Sequence, residues 1–243
     1  MVILSSLADI AVITNELVLA DLEVMEKRLA KVKSKKPSDP EAAFVKRALA
    51  WLEDGRPLNG MKHEPSDAAF AREYGLLSMK PRIFVLNVDD ESVAQGNNYS
   101  RVVEEVYGES QTCRISASIE EQTAQFTRDE QIKFLDAYGI TAPRTELLMR
   151  KVYSALCLQS FFTVGPQMAH GWAIERGATV REASGEIHSD FAENFVRARV
   201  LGCEQYMLCP NVAAAEARMD VVNDKYVMCD GDVLIVEHSA QKK

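Results

Sequence analysis

Between Val18 and Val32 the apolar residues Val18, Leu22, Met25, Leu29 and Val32 recur at alternating steps of four and three. That spacing lays them along one narrow seam of a helix, which must be covered by a second apolar surface. The cover is close by in sequence. The segment KKPSDPE interrupts the pattern, because Pro37 and Pro40 cannot donate backbone hydrogen bonds, and Ser38 or Asp39 can cap a new helix. The next stretch, Glu41 to Asp54, carries Val45, Leu49 and Leu52 on one stripe with Phe44, Ala48 and Trp51 beside it, and ends at Gly55 and Pro57. Two helices with matching stripes and a short connection predict an antiparallel coiled-coil hairpin. Its tip is basic: Lys27, Arg28, Lys31, Lys33, Lys35 and Lys36 fall in one run without an acid. Such a run is either a solvated helix surface or a contact surface for RNA or an acidic protein.

A length of 243 residues with 47% hydrophobic side chains exceeds the usual single domain and supplies several cores. The net charge of −8 argues against a general nucleic-acid coat, which needs clustered cations. Five cysteines, at 113, 157, 203, 209 and 229, are scattered and never spaced as CxxC, which disfavours a disulfide framework and a zinc site. The opening MVILSSLADIAV lacks a basic lead and holds Asp9, and no apolar run reaches the roughly 18 residues of a bilayer span. A soluble, cytoplasmic chain is the expectation, with no membrane contact.

Beyond the helices, a short helix is predicted near Asp67 to Tyr74, a buried strand at Ile83 to Leu86, a helix at about Ser100 to Tyr107 and a second strand at Thr112 to Ile115. A strand, a crossover helix and a strand predict parallel pairing, and the carboxyl ends of such strands are where α/β sheets present ligand groups. Here those ends are Asn87-Val88-Asp89-Asp90 and Ser116-Ala117. An Asn-x-x-Asp is also an ordinary turn held by its own side chains. Asp136-Ala137-Tyr138-Gly139 fits the phosphate-sensing DxxG, but it closes an amphipathic helix, where Gly139 reads as a left-handed cap. His63, His170, His188 and His238 lie far apart and form no HExxH, so catalytic and metal-ligating residues are predicted to be none.

From Phe161 the order is strand (161–164), strand (170–174), helix (181–195), strand (196–200), an alanine-rich helix (211–219), and strands at 225–228 and 233–236 around the turn Cys229-Asp230-Gly231-Asp232. That predicts a β-grasp domain, giving an overall class of α/β plus α+β.

The motifs FFTVGP, GWAIERG, GEIHSDF and the final DGDV resemble the C-terminal TGS domain of the YchF/Obg-like ATPases. DIAVITNELVLADLEVMEKRL resembles their helical insertion, and SIEEQTAQFTRDEQIKFLDAYGI their acidic helical stretch. The resemblance covers Asp9 to Glu237 and implies three parts: a helical hairpin (1–60), the C-terminal half of a nucleotide-binding domain (61–158) and a TGS domain (159–243). It implies ATP, or less often GTP, with magnesium as ligands, hydrolysis as the reaction, and the ribosome or ribosome-associated proteins as partners. It assigns base contact to Asn87, Val88, Asp90, Ser116 and Ala117. A ribosomal contact would use a small patch, a protein surface, or the basic tip, where the charge run offers Lys31, Lys33, Lys35 and Lys36.

There are departures. Asp90 stands where the family carries an Asn-x-x-Glu pattern, Val88 where NKxD proteins carry lysine, and His170-Gly171-Trp172 where arginine usually precedes Ala-Trp. The stretch 179–185 also lacks the family's basic loop. No GxxxxGK[ST] occurs in the 243 residues. A phosphate loop supplies backbone N–H groups, a lysine and a magnesium-holding hydroxyl, so its absence predicts poor triphosphate binding and no hydrolysis by this chain alone. The alternative reading is a nucleotide-independent interaction module using the TGS domain and the basic tip. A two-stranded remnant would expose a sheet edge that promotes self-association.

Overall fold

A computed structural model describes residues 6–36, 38–165 and 168–239. The expectations placed on Met1–Ser5, Pro37 and Pro166 lie outside the described residues. The chain divides into two compact units, Met1–Leu148 and Met149–Lys243.

The first unit begins with α1 (Ser6–Val32) and α2 (Pro40–Glu53). Asp39 starts α2 by accepting the Glu41 and Ala42 N–H groups at 3.0 and 3.1 Å, with Pro40 in the first turn where a missing N–H costs nothing. Val18, Met25 and Val32 of the predicted seam are buried together with Phe44, Val45, Ala48 and Leu52, and Leu22 and Leu29 pack against them. Each fully buried large side chain contributes about 1.5–3 kcal/mol, so this shared stripe, not intrinsic helix propensity, holds the pair. Then α3 (Asp67–Tyr74) closes the cluster through Phe70 and Tyr74, whose rings lie 5.7 and 6.4 Å from that of Phe44. Gly75 ends it in the left-handed conformation at φ 69°.

Next come β1 (Phe84–Asn87), α4 (Asn98–Tyr107) and β2 (Thr112–Ile115). The strands pair in parallel, with Phe84 opposite Thr112 and Asn87 opposite Ile115. A short 3-10 turn, Asp90–Ser92, leaves β1, and α5 (Ala117–Thr123) leaves β2. With α6 (Arg128–Asp136) they enclose a small core of Val93, Ile119, Leu135 and Ile140. Gly139 takes φ 69° after α6, as its reading as a cap requires. The division between the units falls within α7 (Arg144–Ala155).

The second unit is a five-stranded mixed sheet in the order β4-β3-β7-β5-β6. Strands β3 (Leu158–Val164) and β4 (Ala169–Glu175) form a hairpin; α8 (Val180–Ile187) and α9 (Ser189–Glu193) follow, and then β5 (Phe195–Gly202). Helices α10 (Cys203–Met207) and α11 (Val212–Glu216) lead to β6 (Asp220–Val222) and to β7 (Asp232–His238), which runs parallel to β3 in the centre. Phe161, Ile174, Val180, Ala183, Ala198, Val200, Met228 and Leu234 form its main core.

Three elements differ from the sequence reading. The strand expected to be buried at Ile83 to Leu86 is β1, one residue further on, with Val85 and Asn87 exposed and Phe84 and Leu86 only half-buried. The helix expected over 181–195 is broken at His188, whose backbone is extended (φ −164°, ψ 138°) and whose Nδ1 accepts the Asp190 N–H at 3.2 Å to start α9. The strand expected at 225–228 is irregular: Val180 N–H donates to the Tyr226 carbonyl and Met228 N–H to that of Ala178, so this stretch pairs beside α8 and not in the sheet. The strand in the ladder is β6, three residues long.

Candidate functional site

The ends of β1 and β2 are where the sequence placed ligand chemistry, and the structure brings the five residues named there together. The ladder continues one step past β1, with Val88 N–H donating to the Ile115 carbonyl at 2.9 Å. The chain then turns. Asp89 accepts the Ser92 N–H at 2.9 Å, and the Ser92 hydroxyl first, with this backbone contact behind it, holds its exposed carboxyl below the ordinary carboxylate range. On the other strand Ser116 caps α5 by accepting the Ile119 N–H at 3.3 Å.

Three side-chain hydrogen bonds tie the two turns. Asn87 Oδ1 accepts the Ala117 N–H at 3.1 Å. Ser116 Oγ, itself buried, donates to one oxygen of Asp90, and Ser118 Oγ donates to the other at 3.2 Å. Asn87 and Ala117 are exposed, whereas Val88 turns toward the core formed by Val93 and Ile119. The five positions are thus unequal: an amide and a backbone segment face solvent, a carboxylate is braced by two hydroxyls, and an aliphatic side chain packs beneath.

Beside Asn87 lies a cavity of about 240 Å³ lined by Leu86, Asn87, Val88, Asn97, Tyr99 and Ser100. Asn97, Tyr99 and Ser100 were not singled out in the sequence. They come from a capping box that opens α4: Asn97 Oδ1 accepts the Tyr99 and Ser100 N–H groups at 3.1 and 3.0 Å, and Ser100 Oγ accepts the Asn97 N–H at 2.9 Å. The signal was available in GNNYS, where a glycine precedes a capping pair. Gly96 adopts φ 76°, and a Cβ there would lie 2.8 Å from Ser100 Oγ.

The basic tip is partly neutralised. Lys27 pairs with Glu23 at 2.5 Å, Arg28 lies 4.0 Å over the Tyr74 ring and 3.7 Å from Glu73, and Lys35 is held by Glu41 and, at 3.6 Å, by Asp39. Among the described residues no acid pairs with Lys31, Lys33 or Lys36. Lys35, expected as part of the contact surface, instead fastens the start of α2.

The donor set fits part of a nucleotide. An amide and neighbouring backbone suit a purine edge, but among the described residues no three His, Cys, Asp or Glu side chains cluster as a metal would require. No helix of the described residues is long and apolar enough to cross a membrane.

A family model named YchF-GTPase_C, described as "Protein of unknown function (DUF933)", matches residues 158–239. The "Ribosome-binding ATPase YchF" of Bacillus subtilis (strain 168) is 32% identical over 237 residues, covering 93% of this chain and 65% of that protein. The chain is a YchF relative. The protein of the same name from Escherichia coli O157:H7 is 29% identical over 235 residues, again across 93% of this chain and 64% of its own length. Among solved structures, the Schizosaccharomyces pombe YchF GTPase superposes with a TM-score of 0.80 at 23% identity, covering 95% of this chain and 65% of that one. That likeness establishes the mixed helix-and-sheet fold. The chain spans about 65% of the length of the first of these curated YchF relatives.

Proposed function

We propose that this chain works as the purine-reading and ribosome-facing portion of a YchF-type nucleotide-binding protein, with Asn87, Val88, Asp90, Ser116 and Ala117 as the base ledge. The observation that carries this reading is the 3.1 Å bond from the Ala117 N–H to Asn87 Oδ1, which locks the ends of two parallel strands into one surface. With its oxygen engaged, Asn87 keeps its amide N–H groups for a ring nitrogen of a purine. Asp90, with a serine hydroxyl on each oxygen, braces the two turns against each other.

Magnesium and a triphosphate, where the full family site holds them, supply a polarised phosphoryl group whose charge the metal offsets. These 243 residues contribute base contacts and no phosphate cradle, so the chain alone binds ATP and GTP weakly and does not turn them over. In the same reading the β4-β3-β7-β5-β6 sheet, with its parallel central pair, is a TGS β-grasp domain, α1 and α2 are a coiled-coil hairpin, and the protein works in the cytoplasm.

Calorimetric titration with ATP and GTP, with and without magnesium, together with a phosphate-release assay, tests this. The expected result is no turnover and no submicromolar affinity. Magnesium-dependent turnover that Asn87→Ala abolishes would sink the assignment.

A second reading, a nucleotide-independent module that docks on the ribosome, is favoured by Lys31, Lys33 and Lys36, with which no acid among the described residues pairs. Cosedimentation with ribosomes in the absence of nucleotide, weakened by salt and by neutralising these three lysines, would support it. Binding indifferent to both removes the tip from the account.

A further inference from the structure

The sheet of the second unit treats its two edges differently. All five strands come from residues 158–238, so both edges are set by the unit's own strand order. At one edge β6 is three residues long and opens on Asp220, with Asp224 and Lys225 just beyond it. Shortness and charge are the usual means of blunting an edge. At the other edge β4 pairs with β3 over seven residues in one unbroken register, and residues 169–174 hold no charge and no proline. Among the described residues β4 has no partner strand other than β3.

Hydrogen-bond parity identifies the groups that stand on that edge. Just outside the ladder, the Arg176 N–H donates to the Cys157 carbonyl at 2.6 Å and the Gly165 N–H to that of Met168 at 2.9 Å. Met168 and Arg176 therefore face β3, and by alternation so do His170, Trp172 and Ile174. Ala169, Gly171 and Ala173 direct N–H and carbonyl outward. These three are exposed, and none presents a large side chain to an incoming strand. Phe162 of β3 lies over Gly171, with a ring carbon 3.4 Å from where a Cβ would be. His170 and Trp172 stand on the opposite face, with ring centroids 4.4 Å apart.

A second copy fits this edge. With a two-fold axis at Gly171, the two glycines meet as a hydrogen-bonded pair and Ala169 faces Ala173 in another. His170 faces Trp172 in the closer, non-hydrogen-bonded geometry, which gathers four rings on one face. Because residues 169–173 carry no charge, no like charges are set against each other, and the match reads the same from either copy, as a two-fold interface must. Growth stops at two, since the edge left free on each copy is the blunted β6.

We propose that the chain dimerises by antiparallel pairing of β4 with β4 of a second copy, joining the two five-stranded sheets into one continuous sheet centred on Gly171. The interface is independent of the base-ledge reading, since it lies wholly in the second unit.

Sedimentation equilibrium across the micromolar range tests it, with a concentration-dependent species of twice the 27.1 kDa chain expected. Ala173→Pro removes an outward N–H and no bond to β3, so it weakens association by roughly tenfold or more while leaving the circular dichroism unchanged. Val221→Lys, on the exposed side of β6, leaves the dimer intact. Should the proline variant fold poorly, a cross-linking arm decides. In a Cys157→Ser, Cys229→Ser background, a chain carrying Ala169→Cys is mixed with one carrying Ala173→Cys and treated with a short bismaleimide. The mixture is joined more efficiently than either chain alone, because only the mixed pair sets the two cysteines opposite each other, with Cα atoms about 5.5 Å apart. The proposal is overturned by a monomer at all concentrations, by a dimer that a folded Ala173→Pro leaves intact, by a dimer that Val221→Lys dissolves, or by a mixture joined no better than its components.

Discussion

Asp21 and Ser78, at opposite ends of a long stretch of chain, are joined by two hydrogen bonds of 2.7 Å, from the Ser78 backbone N–H and from its hydroxyl. Asp21 also accepts the Leu77 N–H at 2.7 Å and is 1% exposed. A buried carboxylate is tolerated when its lone pairs are satisfied, and three donors do that here. The Ser78 hydroxyl in turn accepts the Leu58 N–H at 3.1 Å. One acid in the middle of α1 therefore anchors the loop that delivers the chain to β1.

Removing that acid leaves three donors buried without a partner. Asp21→Ala is expected to cost roughly 3 kcal/mol or more, since each unsatisfied buried group costs about 1–3 kcal/mol. Asp21→Asn, which keeps acceptor capacity on one oxygen, should cost less. Urea unfolding of both variants gives the ranking, and equal stability of Asp21→Ala and the parent chain would remove the anchor from this account.

The parts of the fold that were legible in sequence are those whose periodicity and punctuation agree. The seam from Val18 to Val32 and the bounds of α3 and β2 follow from apolar spacing with a cap or a glycine at the end. The break at His188 was hidden because Ile187, Phe191 and Phe195 keep a helical spacing across it. In the structure Phe195 begins β5 and Phe191 stacks on His238 at 4.5 Å, so the three rows serve different neighbours. The exchange of 225–228 for β6 has a similar cause: Tyr226 and Met228 point into the core without joining the ladder. At the candidate site, the pair of turns was readable from Asn87 and Ser116. The cavity wall from Asn97 to Ser100 was not, because capping residues look alike whether or not a ligand sits beside them.

Gly96→Ala tests how far that wall depends on backbone. At φ 76° an L side chain is strained, and its Cβ would crowd both Ser100 Oγ at 2.8 Å and the Arg114 guanidinium at 3.0 Å. A loss of about 1–3 kcal/mol is expected, with weaker protection and faster exchange of the α4 amides. Unchanged protection at Tyr99 and Ser100 would show that the capping box tolerates the methyl group.

Titration of the helical pair has two limbs. Lys35, and then the Tyr74 hydroxyl, hold the Glu41 carboxyl below its ordinary value of 4.5, so this contact stabilises above that pH and is lost as pH falls through the lowered value. Burial, and then Glu41, push the Tyr74 hydroxyl above its ordinary 10.0, so its contribution is complete below pH 10.0 and is lost as pH rises further. Melting temperature should therefore fall at both extremes. Glu41→Gln should flatten the acid limb and Tyr74→Phe the alkaline one. An acid limb of the same steepness in Glu41→Gln would show that other carboxylates carry it.

The second unit stands on Phe161, which is fully buried in the central β3 and stacked on Trp172 with 6.3 Å between ring centroids and 15° between planes. The Trp172 indole is fixed from its other end, donating to Thr163 Oγ1 at 3.0 Å. Phe161→Ala removes the ring that the indole rests on and opens a cavity between β3, β4 and β7. Large-to-small changes of this kind cost about 3–5 kcal/mol. The chain has two tryptophans, so a Trp51→Phe background leaves Trp172 as the single fluorescent reporter of this unit. In that background Phe161→Ala should shift the Trp172 emission to the red and lower the denaturant midpoint, while Phe161→Leu, which refills most of the volume, should recover much of the loss. Emission and midpoint unchanged in Phe161→Ala would mean that the sheet closes over the gap, and that the stack does not hold the unit together.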